Sequence, residues 1–300
     1  MNHFFQNINQ ILLSEETRKK AERFFVIIAI VSFIIHLTAI LLIDVDILET
    51  PKNNSLIISP LAAIYTPFSF ILIYEVYLLV FYLPKSMTDY IGKQYEIITL
   101  ILIRKIFYDL SQLKLNTNWF ETEANLKFTY DILGVLSLFV LIFFFYKLSV
   151  KYKEITVEKQ IDINEKTKRF IKIKTIMANM LVLVVFFLAI YSFVNWIFEN
   201  TIEVKEVSKG IKDVNSIFFD DFFTVLILTD VLLLLITFFQ TDVFSRVIRN
   251  SGFIISTIMI KLSFSANGVL NTILIVSAVG FGVLLLLIFN QYKKIEVKYD

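Results

Sequence analysis

The chain has 300 residues, 57% of them apolar, with a mean hydropathy of +0.71 and 31 Phe against 7 Gly and 4 Pro. No water-soluble core covers that much apolar surface, so lipid must solvate much of it. A net charge of +2, no Cys and only two His (His3 and His36) exclude nucleic acid as a partner, disulfides, thiolate chemistry and a metal centre built from His or Cys.

A crossing needs about 20 largely apolar residues at about 1.5 Å each. Residues 3–13 predict a short amphipathic helix or a frayed tail, followed by the basic cluster Arg18, Lys19, Lys20 and Arg23. The first apolar run, Phe24–Ile43, is full length and lacks a small-residue cleavage site, so it reads as an anchor and not a cleaved signal. A second run, Ile57–Leu83, contains Pro60 and Pro67, which should kink or interrupt it. The third, Ile91–Leu113, holds Glu96, Arg104, Lys105 and Asp109. The fourth is Phe128–Tyr146. A charged stretch, Lys147–Lys174, continues that helix, turns near Asp162–Asn164 and leads into the fifth run, Ile176–Phe198. The sixth, Ile217–Phe239, includes Asp220, Asp221 and Asp230. Gly252–Phe289 is too long for one crossing, and the turn chemistry of Ser263–Gly268 divides it into helices at 247–264 and 269–289.

The expectation is an all-α, polytopic membrane protein of eight transmembrane helices. With the N-terminus cytoplasmic, 20 Lys and Arg fall on the inner side and 6 on the outer, the bias that sets orientation in a membrane. Both termini are then cytoplasmic. The resulting organisation is a cytoplasmic N-terminal segment (1–23), a first four-helix membrane half (24–148), a charged cytoplasmic linker (149–174), a second four-helix half (175–290) and a cytoplasmic tail (291–300). Compact loops and Ile-, Lys- and Asn-rich usage fit a bacterial inner membrane.

A weak internal repeat supports the two halves. IITLILIRKIF at 97–107 aligns with IISTIMIKLSF at 254–264, with five identities in eleven positions. Each segment follows a span with an embedded acid, Glu75 or Asp230. An even number of crossings per half makes the repeats parallel.

An ionisable side chain inside a span costs about 2.5–3.5 kcal/mol on insertion scales, so it pairs, lines water or faces the bundle interior. Helix-rise arithmetic puts Glu75 and Arg104 both about 12 Å from the inner end of their helices. It puts Asp230 and Lys261 at about 15 and 18 Å. These four residues are therefore the leading ion-path candidates, as two acid–base pairs, with polar stripes at Thr257, Lys261, Ser265 and at Arg104, Tyr108, Ser111. His36, Asp220, Asp221, Lys105 and Asp109 are secondary: Lys105 and Asp109 can pair at i, i+4, and the two adjacent Asp residues sit at the outer mouth. Ala278 and Gly282 permit close helix contact, including one between protomers of a homo-oligomer.

No channel-filter sequence, voltage-sensor pattern, nucleotide loop or hydrolase motif is present. The expectation is therefore no enzyme, no cofactor and no metal. The leading function is a small channel or transporter for an ion, proton or small polar solute. The alternative is a membrane scaffold or partner-binding protein whose buried charges are structural.

Overall fold

A computed structural model describes residues 13–45, 63–113, 119–157, 165–201, 214–238, 244–266 and 268–299. Among these, 94% are helical and none lies in a strand. The helices are α1 (Glu15–Asp44), α2 (Tyr65–Tyr82), α3 (Met87–Gln112), α4 (Glu123–Val157), α5 (Glu165–Thr201), α6 (Val214–Phe238), α7 (Phe244–Phe264) and α8 (Val269–Tyr299), with a short 3-10 turn, Trp119–Glu121, before α4. The amphipathic segment 3–13 falls almost wholly outside the described residues, as do Pro60 and the turn at 162–164.

Local chemistry sets several of these ends. The Ser14 hydroxyl accepts from the Thr17 amide and begins α1, with Glu15 and Glu16 in its positively polarised first turn. Ser86 caps α3 in the same way through the Asp89 amide. Pro67 falls in the first turn of α2, where no intrahelical donor is lost, so within the described segment it belongs to a helix start. Gly268 adopts φ of +63° between α7 and α8, a conformation that L side chains resist. The break expected at 263–268 is there.

Among the described residues, five helices are long and apolar enough to cross a membrane, not eight: α1, α4, α5, α7 and α8. For α3 the physical reason is charge. α3 carries Asp89, Lys93, Glu96, Arg104, Lys105 and Asp109. Among the described residues, α2 and α6 show the shorter apolar stretches Thr66–Tyr82 and Phe222–Phe238, within helices of 18 and 25 residues.

α2 and α3 are sheltered by their neighbours, while α6 turns Leu228, Leu232 and Leu235 outward. α3 packs against α2 and α4 and touches α7, and its buried residues run from Thr88 to Arg104. α1 lies against α2, α5 bridges α2 and α6, α7 and α8 form a hairpin, and α4 packs along α8. Large apolar side chains point outward from the flanking helices, among them Ile27 and Ile35 on α1, Phe143 on α4, Phe187 on α5 and Leu284 on α8. Such extended exposed apolar faces are those of a protein whose surroundings are apolar.

Glycines set the closest approaches. A Cβ on Gly134 of α4 would overlap Thr272 of α8, and one on Gly282 of α8 would overlap the Tyr95 hydroxyl of α3. Ala278 is fully buried, and its carbonyl accepts from Ser256 at 2.7 Å. The small-residue face of α8 thus seats α3 and α7 of its own chain.

Candidate functional site

Tyr90 and Gln94 stand one turn apart on α3, at i, i+4, and therefore point the same way. Both donate to Asp230 of α6: Tyr90 Oη to Oδ1 at 2.8 Å, and Gln94 Nε2 to Oδ2 at 3.2 Å. Asp230 is 0% exposed. Thr257 of α7 donates to Gln94 Oε1 at 2.8 Å, which orients the Gln94 amide so that its nitrogen faces the carboxylate. Beside this belt, the Tyr95 hydroxyl meets Ser256 Oγ at 2.8 Å. Three helices distant in sequence are thus tied by buried polar groups, and the hydrogen bonds on the carboxylate come from neutral donors.

Asp230 does not pair with Lys261. Lys261 bonds to Thr224 Oγ1 on α6, six residues nearer the opposite end of that helix, and is only partly buried. Helix ends are a poor ruler of depth, because the helices overrun the apolar layer by different lengths. The charge that acts on Asp230 is Lys174 of α5. This residue belongs to the charged stretch in sequence, yet it is buried, and its ammonium donates to the Lys85 carbonyl at 2.7 Å. Arg249 is a second buried cation in electrostatic reach of Lys174; its guanidinium donates to Asn250 Oδ1 at 2.9 Å and lies 4.5 Å from the Phe289 ring centre.

Glu75 and Arg104 do come within electrostatic reach of each other across α2 and α3, and Lys93 also acts on Glu75. Both Glu75 and Arg104 are buried. His36 hydrogen-bonds Thr66 between α1 and α2.

Lys105 and Asp109 do not pair with each other. Lys105 Nζ lies 3.1 Å from Asp131 Oδ2, and Asp109 Oδ1 lies 3.2 Å from Lys127 Nζ, both contacts running between α3 and α4. The Lys-before-Asp order is the weaker i, i+4 orientation, and an antiparallel neighbour supplies better partners. The side chains of Asp220, Asp221, Tyr108 and Ser111 lie outside the described set.

Sequence reasoning overlooks Tyr90, Gln94, Lys174 and Asp131. Only Asp131 carries a plain signal: it is an acid inside the apolar run 128–146. Among the described residues no group of three His, Asp or Glu side chains is placed to hold a metal ion. Compared with protein-family models, curated proteins and solved structures, the chain matches none.

Proposed function

We propose that this is an integral membrane protein that moves a proton or small cation past Asp230, with Glu75 and Arg104 as a second polar centre. The observation that carries the reading is a completely buried carboxylate whose hydrogen bonds come from a tyrosine and a glutamine. An acid held by neutral donors can gain and lose a positive species without breaking an ion pair. The five apolar helices anchor the bundle, and α2, α3 and α6 carry Glu75, Arg104 and Asp230. The 22–150 and 172–296 segments act as two parallel halves, no catalytic step or cofactor is involved, and both termini face the cytoplasm of a bacterial inner membrane.

The test is flux in proteoliposomes loaded with a pH-sensitive dye, with proton and alkali-cation gradients imposed in turn. Wild-type protein should dissipate at least one gradient. Asp230→Asn should lower that rate about tenfold or more while eluting as the wild type on gel filtration. Asp230→Asn at the wild-type rate overturns the role of Asp230. A second reading, a non-transporting scaffold, draws support from the same belt, since its donors close α3, α6 and α7 together. It requires wild-type vesicles that leak no faster than protein-free ones.

A further inference from the structure

Among the described residues Asp131 shares with Asp230 an exposure of 0%, and it sits toward the other end of the bundle. On α3, Lys105 at Asp131 lies eleven residues beyond Gln94 at Asp230, about 16 Å of helix. Asp131 is bound from two sides. Lys105 Nζ of α3 lies 3.1 Å from Oδ2, an ion pair that leaves this oxygen without a hydrogen bond among the described residues, and the Thr272 hydroxyl of α8 donates to Oδ1. Thr272 can reach it because Gly134, one turn along α4, leaves room for the α8 side chain.

Both carboxylates lie on the seam between the first four helices and the last four. Asp230 belongs to the second set and is held by Tyr90 and Gln94 of the first. Asp131 belongs to the first set and is held by Thr272 of the second. Sites in carriers built from two halves lie on that line, where relative movement of the halves makes and breaks contacts. The Lys105 side chain is 29% exposed while its partner is 0% exposed, so the ion pair runs from the interior to the surface of the bundle. Asn125, six residues before Asp131, and Asn271, beside Thr272, have buried polar side-chain atoms without a protein partner among the described residues, an environment suited to water.

Resting on the transport reading, we propose that Asp131, with Lys105 as its exchangeable counter-ion, is a second proton-carrying carboxylate at the opposite end of the Asp230 path. A proton arriving from that end adds to Asp131 Oδ2, neutralises the carboxylate and releases the Lys105 ammonium, which keeps its own proton. Departure of the proton restores the ion pair. The charged groups facing this station are Lys105 and Asp109 from α3 and Lys127 on α4, the last already paired with Asp109, while α8 contributes the Thr272 hydroxyl.

The experiment measures proton flux for wild type, Asp131→Asn, Asp131→Glu, Lys105→Gln and the lipid-facing control Ser137→Ala, with Asp230→Asn run alongside. Asp131→Asn should lose about tenfold or more of the flux, Asp131→Glu should keep most of it, and Lys105→Gln should shift the dependence of flux on pH at that end only. Asp131→Asn within about twofold of wild type, with Asp230→Asn inactive, overturns the second station and leaves the first intact. Infrared difference spectra of the reconstituted protein give a readout that needs no flux. A carboxyl band that responds to the pH of the medium should be missing in Asp131→Asn. If wild type moves no protons, the transport reading falls, and an unchanged band pattern in Asp131→Asn then removes the proton site as well.

Discussion

A carboxylate taken out of water stays in place only if donors replace its hydration. Asp230 has two such donors, and the Tyr90 hydroxyl is the shorter at 2.8 Å. Tyr90→Phe should therefore lower stability by about 1.5–3 kcal/mol, the range for a hydrogen bond to a charged acceptor. Thermal unfolding in detergent checks this, and the loss should shrink when Asp230→Asn is already present, since the two changes remove one interaction. Lysines on different surroundings should behave differently. Among the described residues Lys261 bonds the Thr224 hydroxyl, and it is partly exposed, so Lys261→Ala should move stability by no more than about 0.5 kcal/mol. Lys105→Ala strands Asp131 without its cation and should cost about 1–3 kcal/mol, less than for a wholly buried pair because the lysine is itself 29% exposed.

At the scale of the element, α8 shows how one helix serves several neighbours. Its face at Ala278 and Gly282 admits Ser256 of α7 and Tyr95 of α3, and farther along, Asn290 donates to the Leu148 carbonyl of α4 at 2.9 Å. Gly282→Ala drives a methyl into the Tyr95 hydroxyl and displaces a ring packed edge-on to Phe145 at 5.1 Å, so it should destabilise by about 1–3 kcal/mol. Gly280→Ala is the matched comparison. Its methyl would stand 3.9 Å from Leu141, an ordinary contact, and the gain in helix propensity should leave stability unchanged or raise it by up to about 1 kcal/mol. Unfolding midpoints of the two variants check the contrast; equal losses would mean that the α3–α8 approach is looser than described. The positions are only two residues apart, and what separates them is the neighbour each one meets.

For the molecule as a whole, the first and last four helices meet along α4 and α8, with α3 touching α7 and α2 touching α5. Association of helices in lipid depends on close packing and on polar bonds across the contact. Fragments 1–160 and 161–300, co-expressed with one tag, should therefore purify together, and Gly134→Leu should abolish retrieval by pushing α8 away. The orientation is open to a simple check because the chain has no Cys. Single cysteines at Lys20 and Lys294 should label from the cytoplasmic side, and those at Phe120 and Ser265 from the other. Labelling of Lys20 and Lys294 from opposite sides would contradict the bundle, whose α1 and α8 place those residues at the same end.

The sequence by itself determined the helical class, the order of the eight helices, the turn at Gly268 and the apolar outer faces. These follow from local hydropathy, capping residues and turn chemistry, which act over a few positions. It also carried Glu75 and Arg104 to within reach of each other, because neighbouring helices joined by the short link 83–86 stay adjacent. Only the tertiary structure decided the partners of Asp230, Lys105 and Lys174. A 3.6-residue period says which residues share a face, but not which helix stands opposite that face or how far each helix is shifted along the bundle. Tyr90 and Asp230 are 140 residues apart, and lateral packing of side chains brings them together.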